Sequence, residues 1–174
     1  MKTYRSICAL TALVAGLALV TSQAKDPESV LNSGDEGFVK KASQMGMAEV
    51  QLGMLGSKKA AREDVKALAE KMVTDHTAMN DELKGLAESK KVMTSVITDP
   101  NDTQNLKALE NKNSGEDFDK AFLNQLEKDH KNAISAFEDA AKDSKDAEVK
   151  AWAEKHLSHL RAHLDEVKAA LDKK

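Results

Sequence analysis

Four stretches of this chain place apolar residues, and a few polar ones, at alternating steps of four and three, and that repeat restricts the fold more than any other feature. Over roughly 35–59 it runs through Phe38, Ala42, Met45, Glu49 and Leu52. Over 63–90 it takes Val65, Ala69, Met72, His76, Met79, Leu83 and Leu86. Over 116–142 it takes Leu123, Glu127, His130, Ile134, Phe137 and Ala141, and over 146–172 Val149, Trp152, His156, Leu160, His163, Val167 and Ala170. A helix of about 3.6 residues per turn carries such a series along one inward stripe. No segment alternates with period two for the length of a strand. With 3% aromatic residues and two prolines in 174, a sandwich or barrel is not expected.

The spacing between the helical stretches sets the topology. Ala60 to Arg62 and Asp143 to Lys145 are short enough for antiparallel hairpins. The crossover 91–116 is too long for a structureless loop, and it holds Asp99-Pro100 as a cap and first-turn pair and a short helical stretch through Leu106 and Leu109. Ser114, followed by Asp117, is the expected cap of the next helix. Two hairpins joined by one crossover predict an all-α, ferritin-like four-helix bundle spanning 35–172, after a short polar lead at 25–34.

Residues 1–24 have the three parts of a cleaved signal peptide: Lys2 and Arg5, the apolar run Ile7 to Val20, and Ser22-Gln23-Ala24 before the cut. The apolar run is shorter than the ~20 residues of a spanning helix, and nothing later is apolar enough, so a membrane-spanning protein is not expected. Cleavage leaves 150 residues, removes the only cysteine, Cys8, and takes the net charge from −3 to −5. Cys8 sits too early in the apolar run for a lipoprotein cysteine. The reading is a periplasmic, cysteine-free protein without a disulfide framework and without the basic stripe of a nucleic-acid binder.

The inward stripes carry residues that a helical core normally excludes. Glu49, His76, Glu127, His130, His156 and His163 are on them, and His159 shares a face with His156 and His163, so all five histidines point inward. Glu49, His76, His130, His156 and His159 lie about 12 to 15 residues from a turn, near mid-bundle at ~1.5 Å per residue. His163 lies a turn further along. Burying these groups costs several kcal/mol unless they are paired or bind a metal. The set predicts a site for a transition metal ion such as iron, zinc, copper or manganese. Glu127 and His130 have the i, i+3 spacing of carboxylate-bridged di-metal bundles. The rival reading is a hydrogen-bonded Glu–His network with no metal. Met45, Met72 and Met79 read as core filling before they read as soft ligands. Gly46, Gly53 and Gly56 admit close approach of another helix or of another subunit, so a homo-oligomer stays open.

The motifs Glu49-Val50 with Leu52-Gly53, Met72-Val73-x-Asp75-His76, Phe118-Asp119, His130 and Leu160-x-x-His163-Leu164 resemble the bacterial exported domain-of-unknown-function 4142 family over about 36–171. The resemblance implies a ferritin-like bundle in the periplasm, with no established activity. It places the family's polar positions on Glu49, His76, His130 and His163. His156 and His159 are particular to this chain, which also has Ser158 where the family often has proline. Val73 stands where ferritins have the glutamate of their second-helix Glu-x-x-His, which opposes a standard di-iron ferroxidase. Three functions follow in order of preference: metal binding for storage, buffering or stress protection; a metal-free structural or interaction module; and an oxidase- or peroxidase-like enzyme. A c-type haem is excluded for want of cysteines, whereas a b-type haem would show itself by a Soret band.

Overall fold

Asn32 opens the first helix by accepting hydrogen bonds from the backbone N–H groups of Gly34 and Asp35, and α1 runs Ser33–Lys59. The computed structural model describes residues 29–94 and 98–173, so the signal sequence expected at 1–24 lies outside the described residues. After the turn Ala60–Arg62 comes α2, Glu63–Ser89. Asp99 accepts from the N–H of Asn101 and Pro100 occupies the first turn, which starts the short α3, Pro100–Glu110. α4 is Glu116–Asp143 and α5 is Ala147–Asp172, the latter capped by Asp146. Among the described residues the protein is all-helical, with no strand, and no helix is long and apolar enough to cross a membrane.

The cap expected at Ser114 is not made. Gly115 stands at the N-cap with φ 140, a left-handed conformation that glycine adopts without steric cost. The Ser114 hydroxyl instead donates to the carbonyl of Lys59, fastening the end of the crossover to the end of α1.

Two buried aspartates lock the hairpin turns. Asp119, near the start of α4, accepts from the N–H groups of Ala61 and Arg62, both at 2.9 Å. Asp35, near the start of α1, accepts from those of Lys145 and Asp146, at 3.0 and 2.8 Å. Each hairpin therefore satisfies the orphan donors of the other's turn, at opposite ends of the molecule. α1 packs on α2 and on α4, α5 packs on α4 and on α2, and α3 lies against α1 and α4.

Glycines of α1 make the closest helix approaches. A Cβ on Gly53 would stand 2.9 Å from the Ala69 carbonyl oxygen, and one on Gly56 would overlap the Phe122 ring. They are thus spent within the chain, against α2 and α4. The apolar core divides in two. One half joins Val39, Met79, Leu83, Phe137 and Trp152, and the other joins Leu52, Val65, Met72, Phe118, Phe122 and Val167. His76, His130 and His163 fall in chain order between the residues of the two halves on α2, α4 and α5.

Candidate metal centre

Each of α2, α4 and α5 contributes one imidazole to a triangle. Ring centroids are 5.4 Å apart for His76 and His130, 5.3 Å for His76 and His163, and 5.5 Å for His130 and His163. All three are buried, at 3%, 0% and 2% exposure. One ring nitrogen from each can be chosen so that the three lie within 4.8 Å of one another. An ion at the centre of an equilateral triangle of that edge is about 2.8 Å from each corner, against ~2.0–2.1 Å for a zinc–imidazole bond. Inward shifts under about 1 Å would close that gap.

The outer hydrogen bonds decide which lone pairs face inward. His130 Nδ1 donates to the Leu126 carbonyl at 2.9 Å, so its unprotonated Nε2 is left toward His76, whose Nε2 stands 3.4 Å away. His163 Nε2 donates to Asp75 Oδ2 at 2.9 Å, which leaves its buried Nδ1 as a lone pair without a partner among the described residues. A carboxylate or carbonyl behind an imidazole fixes its tautomer and raises its basicity as a ligand. Asp75 is kept ionised: burial works to raise its pKa, but Lys71 and His163 hold it below the ordinary carboxylate value.

Burial also keeps the imidazoles neutral, as metal ligands must be. It drives His76 well below its usual value, helped by His130 and His163. It takes His130 down to about 4 against the opposing Leu126 bond, and lowers His163 despite Asp75. Glu49 moves the other way, since burial and then the charges of Asp129 and Asp102 raise its carboxyl well above the ordinary range.

Of the seven residues singled out by sequence, the structure gathers three. Glu49 is a neighbour of the triangle: its Oε1 lies 3.5 Å from His130 Nδ1, the outward nitrogen, and its Oε2 is buried without a partner. Glu127 is not inward. It pairs with Lys131 at 2.7 Å on a half-exposed flank, because the buried stripe of α4 passes through Leu126, His130 and Ala133. His159 is exposed, its ring 5.6 Å from that of His156. His156 is buried but elsewhere, against the Trp152 ring at 4.8 Å and bonded to Glu82 Oε2 at 2.9 Å. Asp75 was missed as a site residue. Its signal was adjacency to His76, with Lys71 one turn before it to orient its carboxylate.

Among its described residues this is an all-helical protein with a buried cluster of three imidazoles able to hold a metal ion. The chain belongs to the family described as "Domain of unknown function (DUF4142)", which matches residues 20–170. No curated protein matches it. Among solved structures it is similar to a DUF305 fragment from Deinococcus radiodurans, with a TM-score of 0.72 at 13% identity over 81% of this chain and 97% of that one. It is also similar to a structure described as CopM in the Cu(II)-bound form, with a TM-score of 0.65 at 16% identity over 79% of this chain and 95% of the other. At these identities the likeness is one of fold.

Proposed function

We propose that this is an exported, periplasmic, ferritin-like four-helix bundle that holds one transition metal ion on His76, His130 and His163, for storage, buffering or stress protection. The carrying observation is the convergence of three buried imidazoles, two of them held from behind by Asp75 and by the Leu126 carbonyl. Export is supported by Lys2 and Arg5, the apolar run Ile7 to Val20 and the Ser22-Gln23-Ala24 cleavage pattern. The bundle assignment is supported by two hairpins joined by a crossover.

The donor set argues for a single ion, since no carboxylate belongs to the cluster as a bridge. Neutral imidazoles suit zinc and copper, and Cu(II) heads the affinity order of divalent ions for such ligands. The Cu(II)-bound neighbour of similar fold agrees with that order. Titration of the purified protein with Cu(II) and Zn(II), followed by calorimetry, tests the reading. One equivalent bound by the unaltered protein and lost in a folded His76→Ala variant is the expected result; wild-type stoichiometry in that variant overturns it.

One observation favours a metal-free module instead. The His76–His130 contact at 3.4 Å and the His163–Asp75 bond already pair one nitrogen of each of the three rings. That reading requires an unchanged melting temperature on adding chelator or metal.

A further inference from the structure

A buried metal centre needs a route for the ion, and the two sides of this one differ in charge. Beside His163, between α2 and α5, Lys71 lies 2.9 Å from Asp75 and 3.3 Å from Glu166, so the carboxylates on that side are already engaged by an ammonium. On the α1 and α4 side is a cavity of about 420 Å³ whose walls include His76 and Glu49. Asp99, Asp102, Asp129 and Asp139 also line it, against a single Lys41. Glu49 is 5% exposed, and its Oε2 has no partner among the described residues. That is an orphaned, fully buried carboxyl oxygen on the wall of an acidic cavity, on a side chain 3.5 Å from the His130 imidazole.

We propose that this cavity is the cation port of the three-histidine centre: Asp102 and Asp129 draw the ion in, and it passes the protonated Glu49 on the wall to reach His76. The inference rests on the metal-binding reading and deepens it. Clefts lined by one sign of charge between low-dielectric walls focus the field, raising local counter-ion concentration and on-rates. On the other side the carboxylates of Asp75 and Glu166 are mixed with Lys71, so no single-sign field of that kind is focused there. The walls of the port are mainly apolar, among them Met45, Phe137 and Trp152, so they retain an ion less well than the carboxylates before them and the imidazoles beyond.

The test mixes purified protein with Cu(II) ions in a stopped-flow instrument, following quenching of Trp152, the only tryptophan and a wall of the cavity. Asp102→Asn with Asp129→Asn is expected to slow uptake about tenfold at low ionic strength and to flatten its salt dependence, with one equivalent still bound at saturation. Glu154→Gln with Asp165→Asn makes the same charge change on exposed positions of α5 and leaves the rate within about twofold. Ala136→Phe, which narrows the cavity without touching a charge, is expected to slow uptake and release alike and leave the affinity unchanged. If the unaltered protein binds Cu(II) but uptake is unchanged in both cavity variants, the port is overturned while the metal centre stands. If the unaltered protein binds no Cu(II), the centre itself is overturned, and the port with it.

Discussion

His156 and His163 lie two turns apart on the same helix and are alike in almost every local respect. Each is 2% exposed, each has Nε2 2.9 Å from a carboxylate oxygen, and each leaves Nδ1 buried without a partner. Burial lowers the pKa of both against the pull of that carboxylate. Their difference is on the inner side: His163 meets two more imidazoles, and His156 meets the ring of Trp152. A buried carboxylate–histidine pair is therefore not a metal site in itself. Convergence of three imidazoles from three helices is what makes the cluster able to hold an ion, and His156 is the molecule's internal control.

The largest expected contrast is between ligand and control. His130→Ala should weaken Cu(II) or Zn(II) binding by more than the ~10–100-fold typical of losing an outer partner. His156→Ala should leave affinity within about threefold, and calorimetry on the two folded variants decides. Next come the carboxylates behind the rings. Asp75→Asn should cost about 10–100-fold in affinity, whereas Glu82→Gln should cost none. Equal losses for both would abolish the distinction drawn between the two pairs.

Stability against pH gives a smaller effect with a definite sign. In the folded protein burial pushes His130 down to about 4 from an ordinary 6.5 and lowers His76, His163 and His156 too. Below pH 6.5 the unfolded chain takes up more protons than the folded one, so the imidazoles' contribution is whole above that pH and drains away as pH falls, that of His130 toward pH 4. Glu49, raised in the folded state, acts oppositely: its contribution is present at low pH and is lost as pH rises above the ordinary carboxylate value. The metal-free melting temperature should fall by roughly 5 °C or more from pH 7 to 5, at about 2–4 °C per kcal/mol. The fall should be steeper in Glu49→Gln. A melting temperature that rises toward pH 5 would refute the neutral buried imidazoles. The smallest effect is on His156: Glu82→Gln removes the charge supporting its imidazolium and should lower its pKa by less than about one unit, read by NMR titration.

Much of the fold was legible because it is written locally. The 4/3 stripe, the Asp99-Pro100 start and the short turns gave helix limits within two residues of those observed. The site was legible in part. His76, His130 and His163 lie inward as the repeat predicts, while on α4 alternate members of that same stripe, Glu127 among them, fall one residue past the buried position. Leu126, Ala133 and Ala140 are the buried positions, where Glu127, Ile134 and Ala141 had been expected. One residue is 100° of helix, and an apolar stripe roughly that wide leaves both phases acceptable from sequence alone. His159 fell outside for the related reason that three residues from His156 is the edge of the buried arc.

By itself the sequence determined that the chain forms long amphipathic helices, where they start and stop, and that imidazoles enter the core, because periodicity and capping depend on neighbours a few residues apart. Only the tertiary structure decided that His76, His130 and His163 meet while His156 meets Trp152. It also decided that Asp75 stands behind His163 and that a cavity bordered by carboxylates reaches Glu49. Those outcomes depend on the rotation and axial offset of helices far apart in the chain, 88 positions in the case of Asp75 and His163. Side-chain packing sets that rotation and offset when the two hairpins dock.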